Sequence, residues 1–292
     1  MTRTVTLGFD GRQVTVPEGA TLLDVARAAG VSVPTLCFLE TLTPVNVCRI
    51  CVVEVEGSRT LVPACSRAAE DGMTVRSDSP RVRTARRMVL ELLASVVDLD
   101  LAPEVAEWMA EYGADPGRWS RPPRPEPKVD NDLYVRDYGR CILCYKCVEA
   151  CGVDAQWTFA IAVAGRGAEA HISTEYDVAL PDSACVFCGN CIAVCPTGAL
   201  QAKTEWDLRG AGQWNPEEQT VTTTVCSYCG VGCNLELWTQ QGRVVKVTSP
   251  LDHDVTRGNL CIKGRFGYTY LHDLPADHQT PIDRFLSTRF GG

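Results

Sequence analysis

The chain has 292 residues, 45% hydrophobic and 22% charged, with 28 basic side chains against 36 acidic ones and a formal net charge of -8. Those proportions belong to a globular protein of two or more domains, and an acidic balance with no basic block excludes general nucleic-acid binding. The start, MTRTVTLGFDGRQVTV, has no apolar h-region of a secretory signal, and no apolar run approaches the ~20 residues of a membrane span.

Arg86-Arg87 lies deep in a helical pattern rather than in an export signal, so the expected location is cytoplasmic, with no membrane span. There thiols stay reduced, and clustered cysteines mean metal more often than disulfide. Sixteen cysteines are therefore the outlier of the composition.

In chain order, Thr4–Phe9 and Arg12–Val16 read as two strands around the turn Asp10-Gly11. Thr21 caps a helix with Asp24 three residues on, and Gly30 ends it. Cys37-x10-Cys48-x2-Cys51-x13-Cys65 follows on a long loop. This is the pattern of a [2Fe-2S] site in a β-grasp domain, with zinc on Cys48-x2-Cys51 as the alternative. Pro80–Val97 reads as a helix with Val82, Met88, Leu92 and Leu93 near one face, and Pro103–Tyr112 as a second. The stretch Asp115 to Lys128, DPGRWSRPPRPEPK, holds five prolines. A solvated extended spacer is expected there, its arginines and Trp119 being the material for a docking strap.

Two further groups share one spacing, Cys141-x2-Cys144-x2-Cys147-x3-Cys151 and Cys185-x2-Cys188-x2-Cys191-x3-Cys195, the second followed by Pro196. Three cysteines at two-residue gaps wrap one loop around three corners of a cubane, and the fourth starts a helix that points away and ligates the other cluster. One [4Fe-4S] cluster is thus expected on Cys141, Cys144, Cys147 and Cys195, and another on Cys185, Cys188, Cys191 and Cys151. Cys151 departs from the pattern in being followed by Gly152 rather than proline. Between the runs, the insertion Gly152–Ala184 carries the strand-like WTFAIAV and a lone histidine, His171, expected to be structural.

The last group is Cys226-x2-Cys229-x3-Cys233-x27-Cys261, for which zinc stays open on spacing alone. Around it TVTTTV, LELWTQ and RVVKVTS alternate as strands. Gly230 and Gly232 suit close approach of the backbone to a cluster, and Gly264 a tight turn.

The order of these units resembles the amino-terminal part of NAD-dependent, molybdenum- or tungsten-containing formate dehydrogenase large subunits. It is similar also to the large electron-transfer subunit of respiratory complex I and to the diaphorase small subunit of bidirectional hydrogenases. NVCRICVVEVEG, YGRCILCYKC, CVFCGNCIAVCPTGAL, VCSYCGVGCNLEL and GNLCIKGRFGY carry the likeness, the last two being like the first domain of molybdopterin oxidoreductases. The resemblance implies an α+β multidomain protein with one [2Fe-2S] and three [4Fe-4S] clusters. Its units are a β-grasp domain over 1–78, a helical segment over 79–114 and a proline-rich linker over 115–130. A bacterial-type twin [4Fe-4S] ferredoxin domain over 131–218, a small [4Fe-4S] domain over 219–275 and a tail over 276–292 follow.

The same resemblance implies partners: a molybdenum- or tungsten-pterin catalytic subunit at the last domain, and a flavin- and NAD-binding subunit near the first. It implies that Lys263 couples the last cluster to a pterin. Relatives commonly hold a further cluster on one histidine and three cysteines just after the long helix. SVVDLDLAPEVAEWMAEYG has neither residue type, so that cluster is expected to be absent and the electron path to skip it. The segment LHDLPADHQTPIDR leads, in formate dehydrogenases, into the pterin-binding residues, so this chain is not expected to oxidise formate alone. The expectation is an electron-transfer component with no catalytic residue of its own. A truncated catalytic chain and a free polyferredoxin are the alternatives.

Overall fold

The computed structural model describes residues 3–120 and 123–273. The first hairpin forms where alternation predicts it. Strands β1 (Thr4–Phe9) and β2 (Arg12–Pro17) pair antiparallel around Asp10 and Gly11, whose φ values of 48° and 78° are the left-handed ones that a tight hairpin turn needs. Helix α1 (Leu22–Ala28) opens on a complete capping box: the Thr21 hydroxyl accepts from the Asp24 N–H, and the Asp24 carboxylate accepts from the Thr21 N–H at 2.9 Å. It buries Leu22, Leu23, Val25 and Ala26 against Leu7, Phe9 and Val75. Strands β3 (Val52–Val55), β4 (Val62–Pro63) and β5 (Thr74–Arg76) complete a five-stranded sheet in the order β2-β1-β5-β3-β4. Only β1 and β5 run parallel in it.

Helix α2 (Pro80–Val96) starts at Ser79, whose hydroxyl accepts from the Val82 N–H at 3.3 Å, with proline in the first turn. Its buried stripe differs from the expected one. Val82, Arg86, Leu90 and Ala94 face inward at four-residue steps, while Leu92 is 49% exposed. The reason is Arg86, which reads as a surface residue but is buried. Its Nε donates to Ile50 O at 3.1 Å, Nη2 to Val52 O at 3.0 Å and Nη1 to the Tyr112 hydroxyl at 2.8 Å. The guanidinium thus clamps α2 and α3 (Pro103–Tyr112) onto the cysteine loop before β3. Around it Leu36, Ile50, Leu90, Ala102, Val105 and Tyr112 form one apolar core, against which Ile142 of the next unit packs.

The proline-rich stretch is exposed over 115–120 and 123–126, as a solvated spacer would be, but its arginines pin it. Arg118 pairs with the buried Glu91 at 2.8 Å, and Arg124 with Asp98 at 2.8 Å. Arg118 thereby gives the buried Glu91 its cation, while Asp98, just after α2, is shared between Arg124 and Arg140, the latter at 3.1 Å.

The middle unit pairs β6 (Lys128–Val129), β7 (Tyr134–Arg136) and β10 (Leu200–Ala202) in the antiparallel order β10-β7-β6. The short helices α4 (Lys146–Cys151) and α5 (Asn190–Ala193) pack on each other, each emerging from a cysteine loop. The insertion between them holds the two-stranded pair β8 (Ala162–Ala164) and β9 (His171–Ser173). WTFAIAV is therefore strand only at its end. Trp157 and Phe159 have φ values of 58° and 53°, left-handed conformations that no strand admits. His171 is exposed and its ring nitrogen lies 2.8 Å from Glu169 O, a local turn contact.

Helix α6 (Lys203–Gly210) leads to the last unit, an antiparallel sheet of β11 (Thr220–Val225), β12 (Asn234–Gln240) and β13 (Arg243–Thr248), followed by α7 (Ile262–Phe266). Glu205 of α6 joins the units by holding both Arg209 at 2.7 Å and Lys246 of β13 at 3.5 Å. Phe266 enters the core of the middle unit, beside Tyr134, Cys147 and Leu200.

Gly189 marks where these two units touch. Its φ is +70°, and a Cβ there would lie 2.3 Å from Arg265 Cδ and 2.9 Å from the Phe266 ring. Gly189→Val is expected to cost more than about 2 kcal/mol, because left-handed backbone alone costs an L-residue roughly 1–2 kcal/mol before the overlap is counted. Chemical denaturation should show it, and a loss below about 0.5 kcal/mol, the size of an ordinary surface change, would refute this packing.

Candidate metal centres

The sixteen cysteines are all free thiols, and the fold gathers them in four places. In the first, the Cys51 and Cys65 sulfurs lie 3.5 Å apart, and the Cys65 thiol donates to Asn46 Oδ1 at 3.3 Å. Hydrogen bonding with Cys48, and then with Cys65, lowers Cys37 to about 2, while Cys48, sharing that bond, is pushed up. Asn46 and Arg49 adopt φ of 60° and 58°, so the chain coils tightly around these sulfurs.

In the middle unit the runs cross. Burial pushes Cys141 up to about 11 and Cys144 up to about 12, and the charge of Cys195 raises both. Cys147 is raised well above its ordinary value by burial, then by Cys191, Cys195, Cys144 and Cys141. Cys141, Cys144, Cys147 and Cys195 line one small cavity whose wall includes apolar side chains such as Ile142, Ile172 and Leu200. Cys188 and Cys191 are raised by burial and feel Cys185 and Cys151. Cys195 lies among the thiols of the first run and Cys151 among those of the second, and Cys147 beside Cys191 makes the two runs neighbours.

The two loops repeat one backbone. Leu143 and Tyr145 have φ of 52° and 64°, and Phe187 and Gly189, at the same places in the second loop, 57° and 70°. Left-handed backbone at bulky residues costs energy, and here it aims amides at sulfur. The Phe187 N–H donates to Cys185 Sγ at 3.4 Å. Cys141, Cys144 and Cys188 likewise accept from the amides two residues on, Leu143, Lys146 and Asn190, as Cys48 does from Ile50. Cys151 accepts from the Ala160 N–H at 3.2 Å, and the Tyr134 hydroxyl lies 3.3 Å from Cys185 Sγ. Such donors favour thiolate and are the means by which a protein tunes an iron–sulfur cluster.

The fourth group is the open one. Cys226 is buried, Cys233 half-buried, and Cys229 and Cys261 are exposed. Cys233 is raised by burial and then by the charges of Cys226, Cys229 and Cys261. The Cys226 N–H donates to Cys233 O at 2.8 Å and closes the loop. Val225, Tyr228, Val231, Ile262, Tyr270 and Leu271 stand exposed around it. Lys263, one residue past Ile262 on α7, is exposed too. His253 accepts from the Val255 and Thr256 amides and organises a turn; His278 lies outside the described residues. Among the described residues no three His, Cys, Asp or Glu side chains stand at the spacing that holds a single metal ion.

Residues 2–80 match the 2Fe-2S iron–sulfur cluster binding domain, residues 132–201 the ferredoxin-like domain of NADH-quinone oxidoreductase subunit 3, and residues 219–273 the molybdopterin oxidoreductase Fe4S4 domain. This chain therefore carries 2Fe-2S and 4Fe-4S binding domains. The iron–sulfur chain is 37% identical over 280 residues to the NADPH-Fe(3+) oxidoreductase subunit alpha of Geobacter sulfurreducens, covering 92% of this chain and 32% of that protein. It is 32% identical to an NADH-quinone oxidoreductase component of Rhizobium meliloti, covering 90% of this chain and 31% of that one. A putative formate dehydrogenase of Staphylococcus aureus is 27% identical over 90% of this chain and 31% of its own length. The iron–sulfur chain thus spans about a third of the length of the curated relatives it matches. A chain in the crystal structure of an NAD+-reducing [NiFe]-hydrogenase in the H2-reduced state superposes with a TM-score of 0.60 at 27% identity, covering 68% of this chain and 87% of that one. Among the described residues no helix is long and apolar enough to cross a membrane.

Sequence reasoning missed two residues at these centres, Arg86 and Arg265. Arginine reads as surface, and no pattern in one sequence shows that its fork meets backbone carbonyls. Asn190, opposite Lys146 in the repeated loop, was the available hint for the second.

Proposed function

We propose that the chain is a four-cluster electron wire. Cys37, Cys48, Cys51 and Cys65 hold a [2Fe-2S] cluster in a β-grasp domain. Cys141, Cys144, Cys147 and Cys195, and Cys185, Cys188, Cys191 and Cys151, hold the two [4Fe-4S] clusters of a twin ferredoxin domain, and Cys226, Cys229, Cys233 and Cys261 a third. The observation that carries this reading is the crossed grouping of the middle thiols around apolar space, with amides aimed at sulfur from both repeated loops. Each cluster, when bound, supplies one-electron storage at a potential set by the groups around its sulfurs.

The residues do the rest. The buried thiols of the middle unit exclude water, the i+2 amides stabilise thiolate, and Cys147 beside Cys191 brings the two quartets together. Ile142, packed against the core of α2 and α3, connects the first quartet to the second where relatives carry a further cluster. The exposed apolar rim around Cys229 and Cys261 suits docking of a pterin-binding partner with molybdenum or tungsten, and Lys263 would lie at that face. A flavin subunit exchanging hydride with NAD(P) would dock at the first domain. Formate is the proposed substrate of the assembly.

The length of the relatives favours a second reading, in which this is the iron–sulfur region of a longer catalytic chain. Sequencing the coding region past the codon for Gly292 separates the two. Anaerobic affinity purification tests the first: co-eluting molybdenum or tungsten, flavin and formate-dependent NAD(P) reduction are expected. A lone brown protein that couples to no such partners would overturn the wire and leave a free polyferredoxin.

A further inference from the structure

The side chain of Arg265 reaches from the last unit into the third cysteine loop. It is 4% exposed. Its Nε donates to Cys188 O at 3.0 Å, and Nη2 to Asn190 Oδ1 at 3.2 Å, both within the run Cys188-x2-Cys191. Nη1 donates to Val247 O at 3.3 Å and Nη2 also to Gly258 O at 3.4 Å, anchoring the group in its own unit. Every one of these acceptors is neutral, and among the described residues no carboxylate pairs with Arg265. A buried guanidinium without a carboxylate is costly unless an anion stands nearby. With a cluster bound, the thiolates of this quartet would be the anionic groups placed to compensate it, and Cys188 and Cys191 are the sulfurs that feel its charge.

The internal repeat sharpens the point. Asn190 occupies the place in the third loop that Lys146 occupies in the second, one residue before the third cysteine in each run. Lys146 is largely buried on α4, and its charge acts on Cys144. The Cys141 quartet therefore has a cation within its own loop. The Cys185 quartet has an amide there, and the amide holds a cation delivered by the next domain.

We infer that Arg265, supplied by the last domain through Asn190, is the charge that sets the reduction potential of the cluster on Cys185, Cys188, Cys191 and Cys151, the counterpart of Lys146 for the other. This rests on the four-cluster reading above. The physical reason is that reduction adds one negative charge, which a fixed cation in a low-dielectric site stabilises. Docking of the last domain is thereby coupled to the ease with which that cluster accepts an electron from its neighbour.

The full chain, purified anaerobically, is titrated with dithionite and mediators while each reduced cluster is followed by EPR. Loss of a signal in C185A assigns it to this quartet. In R265Q, at the wild-type midpoint, the reduced-to-oxidised ratio of that cluster is expected to fall at least about tenfold, which is about 59 mV for one electron. R265K should keep the ratio within about threefold. K146Q should move the cluster of the Cys141 quartet and leave this one in place. Where R265Q does not fold with its iron, N190D serves. It keeps the hydrogen bonds, sets a carboxylate against the guanidinium, and should lower the same ratio. An unchanged ratio in R265Q or N190D, or equal shifts of both clusters in R265Q, overturns the inference, since a loosened interface would disturb both. Absence of any four-iron signal in the wild type would instead sink the underlying reading.

Discussion

Replacing Cys195 by alanine is expected to remove the cluster on Cys141, Cys144 and Cys147, more than forty residues away in sequence, and to spare the one on its own run. Iron should fall by about four per chain, the complement of one cubane. In the proposed grouping Cys195 joins Cys141, Cys144 and Cys147, which feel its charge, and Cys151 joins Cys185, Cys188 and Cys191. Cys151→Ala should do the reverse. Because cluster binding free energy is also folding free energy, each variant should melt lower than the wild type. Iron analysis with EPR of the reduced protein decides it. If Cys195→Ala abolished the signal that Cys185→Ala abolishes, the crossed arrangement would be wrong.

Arg86→Met should be the most damaging change away from a ligand. The methionine fills much of the volume but leaves Ile50 O, Val52 O and the Tyr112 hydroxyl without their donor in a buried core. Losing one partner of a buried polar group costs roughly 1–3 kcal/mol per orphan, so a total of about 3 kcal/mol or more is expected. Ile50 lies between Cys48 and Cys51, so the loosened loop should also release the two-iron cluster faster on dilution or chelation. Arg86→Lys, which keeps the charge and loses the fork, should fall between. Urea unfolding and the decay of the two-iron absorption measure both effects. A loss under about 1 kcal/mol would show that the clamp is ornamental.

Much of this architecture was legible before any coordinates. The Asp10-Gly11 hairpin, the Thr21 capping box and the helices after Ser79 and Ala102 rest on local chemistry, and the structure keeps them nearly to the residue. The iron–sulfur domains were legible because cysteine spacing is a local geometric constraint. What a single sequence concealed were the long-range polar contacts. Arg86, Arg118, Arg124 and Arg265 are each held by a partner that lies far away in sequence or in another unit. WTFAIAV failed for a different reason. Its β propensity is overruled at Trp157 and Phe159 because the chain must turn around Cys151, whose carbonyl accepts from the Thr158 and Phe159 amides at 3.0 Å and 3.1 Å. The apolar face expected on α2 was misplaced by the same kind of override, the buried stripe running through Arg86 and Leu90 rather than Met88 and Leu92.

The central claim is that four thiol quartets each hold an iron–sulfur cluster. Mössbauer spectroscopy of 57Fe-enriched protein isolated without oxygen, with total iron and zinc determined on the same sample, tests it most directly. The account predicts about 14 irons per chain in two spectral classes, one two-iron and three four-iron centres, and no stoichiometric zinc. Zinc in place of iron at the first or fourth quartet, or iron that stops near eight per chain, would contradict it.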